Sequence, residues 1–126
     1  MIEIDNKYIG IPFEQLNCWQ FICHYFKHEF NIKLPCFTGE YQDAYDNKNI
    51  AKIYTRELAN KIWPRIKSPE YPDLVVFLID GFKWHAGIVL DNVSMLHTQE
   101  RCGSCIERYT GPRWKNRLYG FYRYQG

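Results

Sequence analysis

No stretch of this chain reaches the roughly 18–20 apolar residues that a membrane-spanning helix requires, so no helical span is expected. The opening segment, MIEIDNKYIG, has no basic run followed by an apolar core. A secretory leader is therefore not expected, and synthesis in a cytosol is. Cysteines number five. An odd count rules out a fully paired disulfide framework within one chain, and free thiols in a reducing compartment fit better. Charge of one sign is also lacking: 16 basic and 14 acidic residues leave a net +2, which does not describe a general nucleic-acid binder. Internal repeats, linkers, low-complexity tracts, phosphate-binding glycine loops and carboxylate pairs at a defined spacing are missing as well. The 126 residues read as one domain, 1–126.

Aromatic side chains are abundant at 17%, so a ring-rich core is expected. After a lead-in that turns at Gly10 and Pro12, residues Cys18, Phe21, Ile22, Tyr25 and Phe26 fall at i, i+3, i+4, i+7 and i+8. That spacing predicts an amphipathic helix with Asn17 as its N-cap, stopping between Phe30 and Lys33 before Leu34–Pro35. A second helix is expected from about Asn49 to Trp63, ended by Pro64. Beyond Asp73 the period changes. LVVFLI (Leu74–Ile79), KWHAGIVL (Lys83–Leu90) and VSMLHT (Val93–Thr98) read as strands joined by turns at Asp80–Gly81 and Asp91–Asn92. SCIERY (Ser104–Tyr109) and LYGFYRY (Leu118–Tyr124) are further strand candidates. Helices first and an antiparallel meander after define an α+β layout.

Cys18 opens the first helix, where the dipole and free N–H groups favour a thiolate. A thiol nucleophile needs a base, and two histidines sit on adjacent predicted strands, His85 in WHAGI and His97 in MLHT. Pairing about Asp91–Asn92 puts residue 85 near residue 98, so the two rings are expected to be neighbours. His85 would then act as base, His97 would fix its tautomer, and the Cys18 backbone N–H would serve an oxyanion hole. Against this stands the plainer reading: a cysteine on a helix stripe is more often a core residue, and a strand histidine more often structural.

Three stretches carry a resemblance. YIGIPFEQLNCWQFICHYF (Tyr8–Phe26) resembles the lead-in and nucleophile helix of NlpC-type, papain-like cysteine peptidases. PDLVVFLIDGFKWHAGIVLDNVSMLHTQ (Pro72–Gln99) is similar to the family's core hairpin. IERYTGPRWKNRLYGFYRY (Ile106–Tyr124) resembles a subgroup encoded with phage tails. The resemblance implies a papain-like α+β fold with N-terminal helices packed on an antiparallel β-sheet. It implies a hydrolase of amide bonds in peptidoglycan stem peptides, often beside a D-glutamyl residue. Cys18 would be the nucleophile, His85 the base and His97 the orienting residue. Tyr8, Asn17, Trp19 and Trp84 would contact substrate, with no metal and no cofactor. Other phage tail-tip proteins are implied as partners, and the virion tail or the cell wall as the place of action. The sequence departs from the family pattern at Asn17, where Asp is common and is tied to recognition of a substrate amine, and at Trp19–Gln20, where Ser–Gly is common. Pro72 stands where Gly precedes Asp73.

Two other functional readings share these residues: a structural tail-tip assembly module with little or no catalysis, and a papain-like amidase or acyltransferase acting on another acyl donor. Other features stay open too. Cys102 and Cys105 form a CxxC with no second ligand pair for zinc and no strand-to-helix context for redox work, so an incidental loop pair is expected. His24 and His28 are i, i+4 on the first helix, opposite its apolar stripe, and read as a solvated face. Six basic residues between Arg101 and Arg123, with Glu107 the one acid among them, suit either a solvated face or an anionic ligand. Tyr119, Phe121, Tyr122 and Tyr124 suit either stacking on a ligand or core packing.

Overall fold

The computed structural model describes residues 2–37 and 39–126. Helix α1 spans Cys18–Phe30. Asn17 and Gln20 close a reciprocal capping box, each side chain accepting from the other's backbone N–H at 2.9 Å. Asn31 ends the helix in the left-handed region (φ 54°) and returns its N–H to Lys27. The buried stripe is wider than the spacing predicts, because Trp19 and Cys23 join it.

Helix α2 covers Asn47–Leu58 and ends short of the expected Trp63. Residues 59–63 instead make turns that seat Trp63 in the core, so Pro64 does not end the helix. The strands are β1 (Arg65–Ile66), β2 (Leu74–Ile79), β3 (Lys83–Val89), β4 (Ser94–Gln99), β5 (Gly103–Arg108) and β6 (Leu118–Tyr122). They form one antiparallel sheet in the order β1-β6-β2-β3-β4-β5. The expected meander holds from β2 to β5. The last strand instead crosses back to pair with β2, and the two-residue β1, unforeseen in the sequence, adds to its far side.

Both faces of β2 are covered, which explains its uninterrupted apolar run. Leu74 and Val76 meet the helices together with Ala86, Ile88 and Leu96, while Val75 and Phe77 pack on the other face with Val89, Met95 and Trp114. The β2–β3 turn has positive φ at both Asp80 (54°) and Gly81 (79°), the conformation a tight hairpin demands. Asp73, buried at the start of β2, accepts two bonds of 2.9 Å from Arg123 and so ties the sheet to the C-terminal segment. No helix among the described residues is long and apolar enough to cross a membrane.

The site is positioned by how β3 and β4 pair. Their ladder consists of Ile88↔Leu96 and Val89↔Met95 among the described residues. Extended along the strands, this register sets Gly87 against His97 and residue 85 against residue 99, one step from the expected 98. The step matters, because a one-residue change exchanges the faces of a strand. With 85 opposite 98, the two histidines would point to opposite sides. In the observed register they are diagonal neighbours on one face. On the other flank of β4, His97 pairs with Cys105, so Glu107, two residues on, shares that face as well.

Candidate active site

A cleft of about 400 Å³ opens where α1 begins and where β3 and β4 reach their ends. Cys18 and Asn17 line it from the helix, Trp84 and His85 from β3, Thr98 from β4, and Trp114 from the segment before β6. Of the residues expected to contact substrate, Asn17 and Trp84 line this cleft. Tyr8 and Trp19 are not among the lining residues. The Tyr8 ring packs on Tyr25 and its hydroxyl donates to Glu29 at 2.7 Å. The Trp19 indole donates to the Pro35 carbonyl at 2.9 Å and packs edge-on to Tyr54 and Trp63. Both are core residues in this fold.

The hydroxyl that does reach the thiol belongs to Tyr54 on α2, with Cys18 Sγ and Tyr54 Oη 2.8 Å apart. Tyr54 stacks on Trp84, the planes only 10° apart, and this joins α2 to the strand that carries His85. Nothing in the sequence marks Tyr54 out, because it lies on the apolar stripe of α2 like an ordinary core residue.

His85 Nε2 and His97 Nδ1 are 2.8 Å apart, and His97 Nε2 is 2.8 Å from Glu107 Oε1. A carboxylate only accepts, so this chain has one direction. His97 donates from Nε2 to Glu107. Its Nδ1 is then the acceptor for the Nε2–H of His85. That leaves His85 Nδ1 unprotonated. Trp114 lies parallel to His85, with centroids 5.0 Å apart and an interplanar angle of 16°, and edge-on to His97. It covers the histidine pair on the face away from the helices. Glu107 and Trp114 carry no sequence signal of their own. Glu107 becomes visible only through the β4–β5 register, and Trp114 only because it folds over that face.

Burial sets the charge state of these groups. It pushes the Cys18 thiol up from its ordinary value, against the donors from Tyr54 and from the backbone N–H groups of Ala86, Trp19 and Cys18. The thiolate expected from the helix dipole is therefore outweighed at rest: with 5% exposure, desolvation is the larger effect. Burial likewise lowers His85 well below the usual imidazole range, and the neighbouring His97 adds to this. His97 is lowered to about 4 by burial, opposed by the Glu107 carboxylate. At rest the thiol and both imidazoles are thus neutral.

The other candidates separate. His28 Nδ1 bonds the His24 backbone carbonyl at 2.9 Å on the outer part of α1. All five cysteines are free thiols. The basic cluster divides: Arg123 serves Asp73, Arg113 sits 3.7 Å from Glu107, and Arg101 and Arg117 line the cleft. Of the C-terminal aromatics, Tyr122 is buried in the core and Tyr119 is exposed beside Arg65.

A helix that begins at a cysteine, packed on an antiparallel sheet that presents paired histidines, defines a papain-like α+β protein. The family model described as the NlpC/P60 family matches residues 6–123, and the chain belongs to that family. Two solved structures share the fold. One, from Staphylococcus aureus, is described as similar to lipoprotein of the NLP/P60 family. It is 20% identical, with a TM-score of 0.62 over 96% of this chain and 39% of its own. The other, an NlpC/P60 family protein from Bacillus cereus, is 18% identical, with a TM-score of 0.59 over 86% of this chain and 32% of its own. The present chain therefore spans 32–39% of those proteins. A search of curated proteins found no match.

Proposed function

We propose that this protein is a cysteine hydrolase of amide bonds in the peptide stems of peptidoglycan. The observation that carries the reading is the directed chain from Glu107 through His97 to His85, which leaves Nδ1 unprotonated on a histidine that lines the same cleft as Cys18. His85 Nδ1 takes the thiol proton as the sulfur attacks the carbonyl carbon. The Cys18 backbone N–H, at the helix start, receives the developing oxyanion. Collapse breaks the C–N bond, and the leaving amine takes the proton from His85. Water then attacks the thioester with His85 again as base, which releases the acid and restores the thiol. Because both groups are neutral at rest, proton transfer accompanies attack rather than preceding it.

The substrate class rests on family membership and on the cleft's charge. Lys83, Arg101, Arg113 and Arg117 line it, against Glu100 alone among acids, and this suits stem peptides that carry free carboxylates. Action from a phage tail rests on the likeness of the C-terminal segment. The test is a digest of purified peptidoglycan with released fragments identified by mass spectrometry. Wild type should release new stem-peptide fragments, Cys18→Ala and His85→Ala none, and His97→Ala fewer than wild type. Full activity in Cys18→Ala would overturn the mechanism.

A second reading is favoured by one observation, the burial of the thiol and the upward push this gives it. Under that reading the domain is a structural tail-tip module. It predicts no fragments from any wall type, although the protein is folded.

A further inference from the structure

We propose that His97, Cys105 and Glu107 form a zinc site that switches the catalytic relay off. The β4–β5 register places them on one face, and one ligand atom from each lies within 4.8 Å of the other two. His97 Nε2 is 2.8 Å from Glu107 Oε1 and 3.8 Å from Cys105 Sγ. Zinc holds N and O ligands at about 2.0–2.1 Å and sulfur at about 2.3 Å, so tetrahedral angles set ligand atoms about 3.3–3.6 Å apart. The His97–Glu107 pair opens and the His97–Cys105 pair closes by about half an ångström or less to reach that spacing, and the Cys105–Glu107 pair, within 4.8 Å, closes by up to about 1.2 Å (4.8 − 3.6). One imidazole, one thiolate and one carboxylate are a zinc ligand set, and softer than the all-oxygen shells of magnesium or calcium. Gln99 Nε2 donates to Cys105 Sγ at 3.4 Å and orients the sulfur from behind. The Glu107 side chain is 28% exposed, which leaves a path in and a fourth position for water. Arg113, 3.7 Å from the second Glu107 oxygen, is the competing cation; its side chain is 54% exposed and free to turn outward. In the sequence Cys105 has only Cys102 for company. The fold supplies ligands from the neighbouring strand.

The consequence for catalysis rests on the function proposed above. Zinc needs the Nε2 lone pair of His97, so the proton that Nε2 gave to Glu107 is displaced. The proton shared between the two rings then resides on His97 Nδ1, and His85 Nε2 becomes the acceptor. Neutral His85 must carry its proton on Nδ1, the nitrogen that would otherwise take the thiol proton. The displaced Nε2 proton ends there by way of solvent, and the Cys105 thiol proton goes to buffer. The same two rings, with the same bond between them, thus point the other way when metal is bound.

The decisive experiment titrates Co²⁺, then Zn²⁺, into the folded Cys18→Ala protein, where no catalytic thiol can bind. One equivalent of Co²⁺ should give tetrahedral visible bands and a thiolate-to-cobalt charge-transfer band. Zn²⁺ should bleach both, and Cys105→Ser in the same background should abolish the charge-transfer band. Imidazole nitrogen NMR gives a second readout on the unmutated protein, in which Zn²⁺ should move His97 Nε2. With the catalytic thiol present, saturating Zn²⁺ should cut turnover roughly a hundredfold or more, the contribution of a positioned base, and Cys105→Ser should be spared. Absence of cobalt bands in Cys18→Ala, or bands that persist in Cys105→Ser, would overturn the site. Binding with undiminished turnover would overturn the switch. Metal binding is read without activity, so failure of the hydrolase reading leaves the site's own test intact.

Discussion

At the scale of single residues, Glu107 decides which way the relay runs. Among Glu107, His97 and His85 its carboxylate is the one group that can only accept, so both histidine tautomers follow from it. Glu107→Gln keeps the shape but removes the charge. A charge-assisted hydrogen bond contributes about 1.5–3 kcal/mol, so kcat should fall about 10- to 100-fold while KM holds. The carboxylate also raises the affinity of His97 for a proton, so the acid limb of the pH–rate profile should move to lower pH in the variant. Unchanged kcat would remove Glu107 from the mechanism. The same burial makes stability depend on pH. The pKa of His97 falls from an ordinary 6.5 to about 4 on folding. Between those values the unfolded chain binds a proton that the folded one refuses, so stability is full above about pH 6.5 and is lost as pH falls toward 4, by at most about 1.4 kcal/mol per pH unit for one such group. His85, lowered in the same sense, adds to the loss. Urea midpoints should drop across this window, and His97→Asn should flatten the slope.

At the scale of elements, the site depends on how closely β3 approaches β4. A Cβ placed on Gly87 would lie 2.8 Å from Met95 Sδ and 3.1 Å from His97 Cβ. The methionine sulfur can move, but the histidine Cβ is fixed to its strand. Gly87→Ala should therefore cost about 1–3 kcal/mol of stability, the usual range for overpacking. It should also lower kcat more than it raises KM, since the displaced ring is His97. Wild-type turnover would show that this approach is not what sets the relay. The limits of sequence reading lie at the same scale. Helix α1 is legible because its stripe, its Asn17 cap and its Leu34–Pro35 stop agree. The β2–β3 hairpin is legible from Asp80–Gly81. The end of α2 is not, because burial of Trp63 draws residues 59–63 into turns that no propensity marks. Cys18, His85 and His97 stand out in the sequence by residue type and spacing. Glu107, Trp114 and Tyr54 depend on register, a crossing segment and a helix packing angle, which arise only when the elements assemble. Tyr8 lies elsewhere for the complementary reason: its motif position suggests the cleft, and its ring packs on Tyr25 of α1.

At the scale of the whole molecule, charge is concentrated where it can act. The cleft lining carries four basic residues and one acid, a balance of 4 − 1 = +3, while the chain's balance is 16 − 14 = +2. The remainder of the protein is thus slightly acidic at −1, and the positive surplus lies at the site. Glu100 is already engaged, 2.6 Å from Lys83, and Arg113 sits 3.7 Å from Glu107, so Arg101 and Arg117 face an incoming ligand with little compensation. Such a lining favours an anion by long-range attraction, which salt screens over about 10 Å at 0.1 M and about 3 Å at 1 M. On stem peptides with free carboxylates, KM should rise steadily with ionic strength while kcat changes little, because the relay is buried and screened much less. Arg101→Glu and Arg117→Glu should raise KM at low salt and flatten its salt dependence. On stems whose carboxylates are capped as amides, wild type and both variants should behave alike. A KM indifferent to salt and to amidation would mean that the basic rim is solvated surface, and that substrate selection resides in the aromatic wall around Trp84 instead.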